Sequence, residues 1–408
     1  MTVWSLALRN LLRNRRRSLL TGLVVVVGFA AFTLAAGFMA QSLDGLREGT
    51  IRNGLGHLQL ADPLAFDDAA DGSLEHGLAN AETIERILRA DPAVVEILPR
   101  IDFVGLITNG NRSVPFVGTG LDPGPEARTM DHATALSAGQ WLADRNARSV
   151  VLGGGLASAL GVHVGDTVTL LATTADGTLN GVDASVAGLA DIPIKELDDR
   201  FVATSLGLAA DLLLVPDRVS RIVVMLRDAA ESRPALRRLC ASLRDQGFDV
   251  AGKTWEELGL FYRQVRLLYL GIFGFMGAVL VVVVLLATTN SMLMAATERT
   301  REIGTLRALG TRSAAIQRMF VAEATLLAGV ACLVGALLSL AVRAALNHSG
   351  IVLPPPPGVT HGMPLYVKLY GVAYAGAAVA MAVTVVLASA LPARRAARIP
   401  IVEALAHV

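Results

Sequence analysis

The stretch from Ser18 to Leu43 reads SLLTGLVVVVGFAAFTLAAGFMAQSL and contains no charged side chain. A helix that crosses a bilayer needs about 20 apolar residues, and an arginine at its centre costs about 2.5–3.5 kcal/mol. Three more runs are equally free of charge: between Arg266 and Glu298, between Glu323 and Arg343, and between Lys368 and Arg394. The spacing predicts four transmembrane helices, over residues 19–41, 265–290, 319–346 and 366–391. Composition points the same way, because 53% of the residues are hydrophobic and only 17% charged, more apolar than an ordinary soluble domain. A net charge of +1 supplies no field that would favour nucleic acid. The first run has a basic start but outlasts the roughly 7–15 residues of a signal-peptide core, so it reads as an uncleaved anchor.

Lysines and arginines near the span ends set the orientation. Arg9, Arg13, Arg15, Arg16 and Arg17 precede the first span. Arg299, Arg301, Arg307, Arg312 and Arg318 separate the second from the third, and Arg394, Arg395 and Arg398 follow the fourth. This bias puts both termini and the Glu298–Arg318 loop in the cytoplasm, outvoting Arg263 and Arg266. Residues 42–264 then form one large extracytoplasmic domain of mixed α and β structure. AETIERILRAD has helical spacing and stops at Asp91-Pro92. Strand-like runs follow at Val94–Leu98, Phe103–Ile107 and Val114–Val117. VVLGGGLASALGVHVGDTVTLL reads as strand, glycine turn, short helix, turn and strand. RIVVMLRD is a further strand, and RPALRRLCASLRDQG is an amphipathic helix ended by Gly247.

One motif argues for an enzyme. Gly247, Gly252, Lys253 and Thr254 spell G-x-x-x-x-G-K-T, the pattern of a nucleotide-binding P-loop. A working P-loop joins a buried strand to a helix whose N–H groups cradle phosphate. Here Gly247 ends a helix and Phe248–Val250 reads as a short strand, so the glycines bracket the strand instead of following it. Thr254 and Glu257 read instead as a capping box, T-x-x-E. Other catalytic signals are thinner. His57, His76, His132, His163, His348, His361 and His407 are scattered, and Cys240 and Cys332 form no metal or disulfide pattern. Asp198-Asp199 reads as a solvated pair on a polar loop, and Gly153-Gly154-Gly155 as a turn.

Between the second and third spans lies NSMLMAATERTREIGTLRALGTRSAAIQRMFVAEA. Ala295 to Leu309 is rich in helix formers, and Gly310 suits a C-terminal cap. Ile303, Leu306 and Leu309 recur every three residues as a partial apolar stripe among Arg299, Arg301, Glu302 and Arg307. By composition alone this is a solvated basic loop.

The stretch resembles the coupling segment of the MacB/FtsX-like ABC transporter permeases, with its recurring E-R-x-R-E-I-G-x-L-R-A-L-G. Glu298, Arg299, Arg301, Glu302, Ile303, Gly304, Leu306, Arg307 and Gly310 match, as do Ala308 and Leu309. The ending PARRAARIPIVEAL is similar to that family's, through Arg394, Arg395, Arg398, Pro400 and Glu403. SLALRNLLRNRRRSLLTG resembles its amphipathic elbow helix, with Trp4, Leu8 and Leu12 on one side. VVLGGGLASALGVHVGDTVTL and KELDDRFVATSLGLAADLL resemble blocks of its periplasmic core.

The resemblance implies a multi-pass protein of the bacterial inner membrane, with four transmembrane helices and a large α+β periplasmic domain. Its expected parts are an elbow helix (1–18), a periplasmic domain (42–264) with a β-rich insertion near 125–190, and a cytoplasmic coupling loop (291–318). A Pro-rich periplasmic loop (347–365) and a cytoplasmic C-terminal segment (392–408) complete them. It implies a permease subunit that is not itself an enzyme and needs no cofactor of its own, ATP and Mg being bound by a separate ABC ATPase. Partners implied are that ATPase, a second permease copy or paralogue, membrane lipids, and a periplasmic lipoprotein carrier or adaptor protein. Size and domain order are closest to the lipoprotein-releasing subunits. An efflux permease working with an adaptor, and a non-transporting mechanical regulator, are the alternatives.

Overall fold

The fold is that of a computed structural model, and the structure describes residue 7, residues 9–11, residue 13, and residues 15–66, 77–129, 136–192, 195–353 and 363–398. Chain contacts divide the described residues into two units, a helical one (up to residue 44, 265–353 and 363–398) and a sheet-rich one (within 45–264).

The helical unit is built on four helices long and apolar enough to cross a membrane: α1 (Arg15–Thr50), α7 (Leu260–Glu298), α9 (Ser313–His348) and α10 (Gly371–Arg398). At about 1.5 Å per residue, the 36 residues of α1 and the 39 of α7 overrun a hydrocarbon layer about 30 Å thick. Both helices therefore continue into water beyond the spans that hydropathy marks. The helix α1 starts inside the expected elbow, and α10 runs through Pro392 without stopping there. Val25 and Phe29 of α1, Val284 and Met292 of α7, Phe320 and Ala328 of α9, and Met381 and Val385 of α10 share one buried cluster. Within it, Thr33 Oγ1, Ser339 Oγ and Tyr374 Oη are linked at 2.8 Å each. These bonds tie α1, α9 and α10 together where no water competes.

Among the described residues the main sheet of the sheet-rich unit has ten strands: β1 (Leu58–Ala61), β2 (Val94–Thr108), β3 (Ser113–Leu121), β4 (Leu136–Gly139), β5 (Ser149–Gly153), β6 (Thr167–Thr173), β7 (Leu179–Ala190), β8 (Phe201–Ser205), β9 (Arg221–Leu226) and β10 (Ala251–Thr254), while Leu78–Ala79 and Arg218–Val219 pair apart from it as a short antiparallel ribbon. Their order is β10-β1-β9-β2-β3-β8-β5-β7-β4, with β6 bridging β2 and β7. That bridge closes β2, β3, β8, β5, β7 and β6 into a ring, because each of the six pairs with two others of the set. Phe103, Ile107, Phe116, Leu152, Leu170, Val186 and Val202 belong to the core that the ring and its helices enclose. The unit's longer helices are α2 (Ala81–Leu88), α3 (Pro123–Thr129), α4 (Gly154–Leu160), α5 (Leu206–Leu213) and α6 (Ser232–Asp245), with single helical turns at Lys195–Asp198 and Trp255–Leu258.

Several expectations change. The runs Val94–Leu98 and Phe103–Ile107 are one strand, and Pro99 is tolerated where β2 has β9 on one side and has not yet met β3. Residues 125–190 hold the strands β4, β5, β6 and β7, and these share the main sheet, since β6 pairs with β2 and β5 with β8. Asp198 is not simply solvated. Its carboxylate accepts the N–H of Gly154 at 3.0 Å and of Gly155 at 2.7 Å, capping α4 from outside. A Cβ on Gly155 would lie 2.1 Å from Asp199 Oδ1, so the glycines and the two acids form one feature.

Candidate functional site

The P-loop pattern dissolves in the fold. Phe248–Val250 is not a strand; the strand is β10, and it contains Gly252, Lys253 and Thr254 themselves. Lys253 pairs with Gln59 across the ladder, donates to the Phe66 carbonyl at 3.2 Å and sits 4.8 Å from the Phe66 ring centroid. A Cβ at Gly252 would crowd the tips of the Leu236 and Leu60 side chains. The Thr254 N–H donates to Glu257 Oε2 at 2.9 Å, as one half of the capping box requires. Among the described residues no cluster of three or more His, Cys, Asp or Glu could hold a metal. His76, His132, His361 and His407 lie outside them.

The coupling segment is the other candidate, and its geometry is specific. The helix α7 ends at Glu298, Arg299 leaves helical geometry at φ −108° and ψ 14°, and a short helix α8 runs Thr300–Ala308. Ala295 to Leu309 is therefore two helices with a bend, not one. Gly310, at φ +90°, ends α8 in a Schellman motif: Thr311 N–H donates to Leu306 O and Gly310 N–H to Arg307 O.

The bend sorts the motif residues into three sets. Arg299 points inward with only 4% of its side chain exposed, and donates through Nη1 to Glu323 Oε2 of α9 at 3.1 Å. Ile303 is 2% exposed in the same cluster as Ala393, Ala396 and Ala397 of α10, and Gly304 is buried beside it. The side chains of Arg299 and Ile303 are both buried within the helical unit. Glu298 and Glu302 form ion pairs: Glu298 with Arg17 at 2.9 Å, Glu302 with Arg13 at 2.8 Å. Arg301 is exposed, as are Leu306 at 38% and Leu309 at 79%, and Arg307 is half-buried. Leu306 and, at the C-cap, Leu309 are thus exposed apolar side chains on an otherwise charged helix. Arg394 and Arg395 are exposed at the end of α10. The Arg398 side chain, Pro400 and Glu403 lie outside the described residues, as do Trp4, Leu8 and Leu12 of the elbow and the proline run at 354–357.

Sequence reasoning passed over Glu323, Arg13 and Arg17 as individual partners. Glu323 carried a signal, because it is an acid inside the span expected at 319–346 and needs a partner there. Arg13 and Arg17, like Glu298 and Glu302, stand four residues apart, which is one helical turn.

Two family descriptions match the chain. The MacB-like periplasmic core domain covers residues 18–239, and the FtsX-like permease C-terminal domain covers residues 274–401. The chain belongs to the MacB/FtsX-like permease family. This MacB/FtsX-like permease is similar to the lipoprotein-releasing system transmembrane protein LolE of Haemophilus influenzae, at 22% identity over 345 residues, 80% of this chain and 79% of that one. It is also similar to LolC of Neisseria meningitidis, at 24% over 338 residues, 78% and 77% of the two chains. The pyoverdine export ATP-binding/permease protein PvdT of Pseudomonas savastanoi pv. phaseolicola is 38% identical over 132 residues, 32% of this chain and 18% of that protein. Among solved structures, the periplasmic region of MacB from Actinobacillus actinomycetemcomitans aligns with a TM-score of 0.38 at 13% identity, covering 50% of this chain and 92% of that one. The permease thus carries four candidate membrane helices with a MacB-like core between the first and second.

Proposed function

We propose that this chain is the transmembrane subunit of an ABC transporter that takes up motion from a separate ATPase subunit at α8 and passes it to its periplasmic domain. The observation that carries the reading is α8 itself. It is a short charged helix turned off the end of a spanning helix, with Leu306 and Leu309 exposed beside Arg301. Leu306, Leu309 and Arg301 form the contact surface, Gly304 and Ile303 seat α8 on the bundle, and Gly310 ends it. Arg307 and the exposed Arg394 and Arg395 flank that surface. Both termini and α8 lie in the cytoplasm of a bacterial inner-membrane protein, as the arginine bias supports. ATP and Mg belong to the ATPase, and a second permease copy or paralogue completes the assembly.

The cargo we assign is lipoprotein released from the inner membrane, because the similarity to LolE and LolC runs through about four-fifths of each chain. Efflux with an adaptor protein is the second reading, favoured by the stretch shared with PvdT. Purification of the tagged chain from its own membranes tests the subunit role. The expected result is an ABC ATPase subunit held by the unaltered chain and lost in Leu306→Asp/Leu309→Asp. ATP hydrolysis by the chain alone, abolished by Lys253→Ala, would overturn it. Lipoproteins retained in the inner membrane of depleted cells support the cargo; unchanged lipoprotein sorting with an adaptor in the purified complex favours efflux.

A further inference from the structure

The ion pairs at the coupling segment have a register. Arg13 and Arg17 stand one helical turn apart before and within α1; Glu298 and Glu302 stand one turn apart across the α7–α8 bend. They pair in opposite order: Arg13 Nη2 with Glu302 at 2.8 and 2.9 Å, Arg17 Nη1 with Glu298 Oε2 at 2.9 Å. A third pair, Arg299 with Glu323, lies beneath them and is buried on both sides, at 4% and 2% exposure. Besides α10, whose Ala393, Ala396 and Ala397 pack with Ile303, three helices meet the coupling segment in three different ways. The helix α7 is joined to it covalently at Arg299. The helix α9 is held by a pair out of reach of water, and breaking such a pair strands a charge. The helix α1 is held by two pairs: Arg13–Glu302, about half exposed on both sides at 54% and 55%, and Arg17–Glu298, whose glutamate is 53% exposed and whose arginine is 16% exposed.

We infer that the Arg13–Glu302 and Arg17–Glu298 ladder is the linkage through which displacement of α8 moves α1, while α7 moves by covalent continuity. The buried Arg299–Glu323 pair is the pivot. Arg13, Arg17, Glu298 and Glu302 are accordingly positioning residues that act through α1. The Arg13–Glu302 rung suits this task, because it is exposed on both sides and can shift during a stroke without leaving a buried charge behind, while the less exposed Arg17 anchors the second rung to Glu298. The inference rests on the subunit reading proposed above, and its test separates the two.

The test uses the full complex with its ATPase in a lipid bilayer, the chain carrying Cys240→Ala and Cys332→Ala. Single thiols are placed toward the far ends of α1 and α7. Gly45→Cys is one, where an added Cβ meets nothing within 4 Å, and Phe261→Cys is the other, at a side chain 67% exposed. Labelling rates are compared with and without ATP and vanadate. The expected result is a nucleotide-dependent change at both thiols in the unaltered chain. In Arg13→Glu/Arg17→Glu the change at Gly45→Cys falls to less than about a third, while that at Phe261→Cys persists. The swap that adds Glu298→Arg/Glu302→Arg restores the Gly45→Cys response. A retained response at Gly45→Cys in the reversal, loss at both thiols, or failure of the swap to restore it would overturn the ladder alone. No response at either thiol in the unaltered chain would overturn the subunit reading and the ladder with it.

Discussion

Replacing Glu126 by alanine removes the partner of a buried arginine in the sheet-rich unit. Arg100 is 7% exposed and Glu126 fully buried. Arg100 Nε and Nη2 donate to Glu126 at 3.0, 2.8 and 3.1 Å, and Nη1 donates to the Gly54 carbonyl at 2.9 Å. Gly54 belongs to the π-helical turn Ile51–Leu55 that follows α1, so this one guanidinium ties that turn to β2 and α3. Losing the carboxylate leaves one neutral carbonyl against a buried cation, which costs about 3–5 kcal/mol. For a unit of this size each kcal/mol lowers the midpoint by about 2–4 °C, so Glu126→Ala melts on the order of 10 °C earlier. Trp141 and Trp255 both lie in this unit and report its unfolding by intrinsic fluorescence in the full-length chain. The apolar replacement Arg100→Met/Glu126→Leu recovers most of the loss, because it buries neither charge alone. A shift under about 3 °C for Glu126→Ala, or a double variant as unstable as the single, would refute the electrostatic account.

Protonation of His57 provides a pH test. Burial holds its pKa below the ordinary value, with Glu48 and Asp228 pulling up and Arg47 and Arg52 pushing down. Its Nδ1 accepts the Leu226 N–H at 3.1 Å, which requires the unprotonated ring nitrogen. The folded state thus binds the proton more weakly than the unfolded chain, and stability present above about pH 6.5 is lost as pH falls toward the folded value. Melting at pH 5.5 and 7.5 checks this: the drop on acidification is smaller in His57→Asn, whose side-chain oxygen can accept the same bond. Asp198→Ala strips the cap from α4 and costs about 1–2 kcal/mol, read as faster amide exchange at Gly154 and Gly155, whereas Asp198→Asn retains about half the protection.

The four spans were legible because excluding charge from hydrocarbon is a local rule that needs no knowledge of neighbours. Gly310 as a cap, α6 ending near Gly247, and the strand–helix–strand order around Gly154 were legible for the same reason. The ring of strands was not, since its closure depends on Gly105–Thr108 meeting Thr169–Ala172 across a long separation in sequence. Nor was the inward turn of Arg299 and Ile303, which depends on the bend between α7 and α8 and on Glu323 waiting in α9. The motif marks a segment, and three-dimensional packing decides which of its residues stay outside. Asp198 was misread because its partners, Gly154 and Gly155, stand far away in the chain and are silent as amides until folded.

Thiol labelling across the inner membrane tests most directly whether α8 can meet an ATPase. With Cys240→Ala and Cys332→Ala in place, Asn111→Cys marks the exposed tip of the β2–β3 hairpin and Leu309→Cys marks the end of α8. The account predicts that a membrane-impermeant reagent added to cells with a permeabilised outer membrane labels Asn111→Cys, and labels Leu309→Cys only once the inner membrane is opened. Labelling of Leu309→Cys in sealed cells, with Asn111→Cys protected, would contradict it.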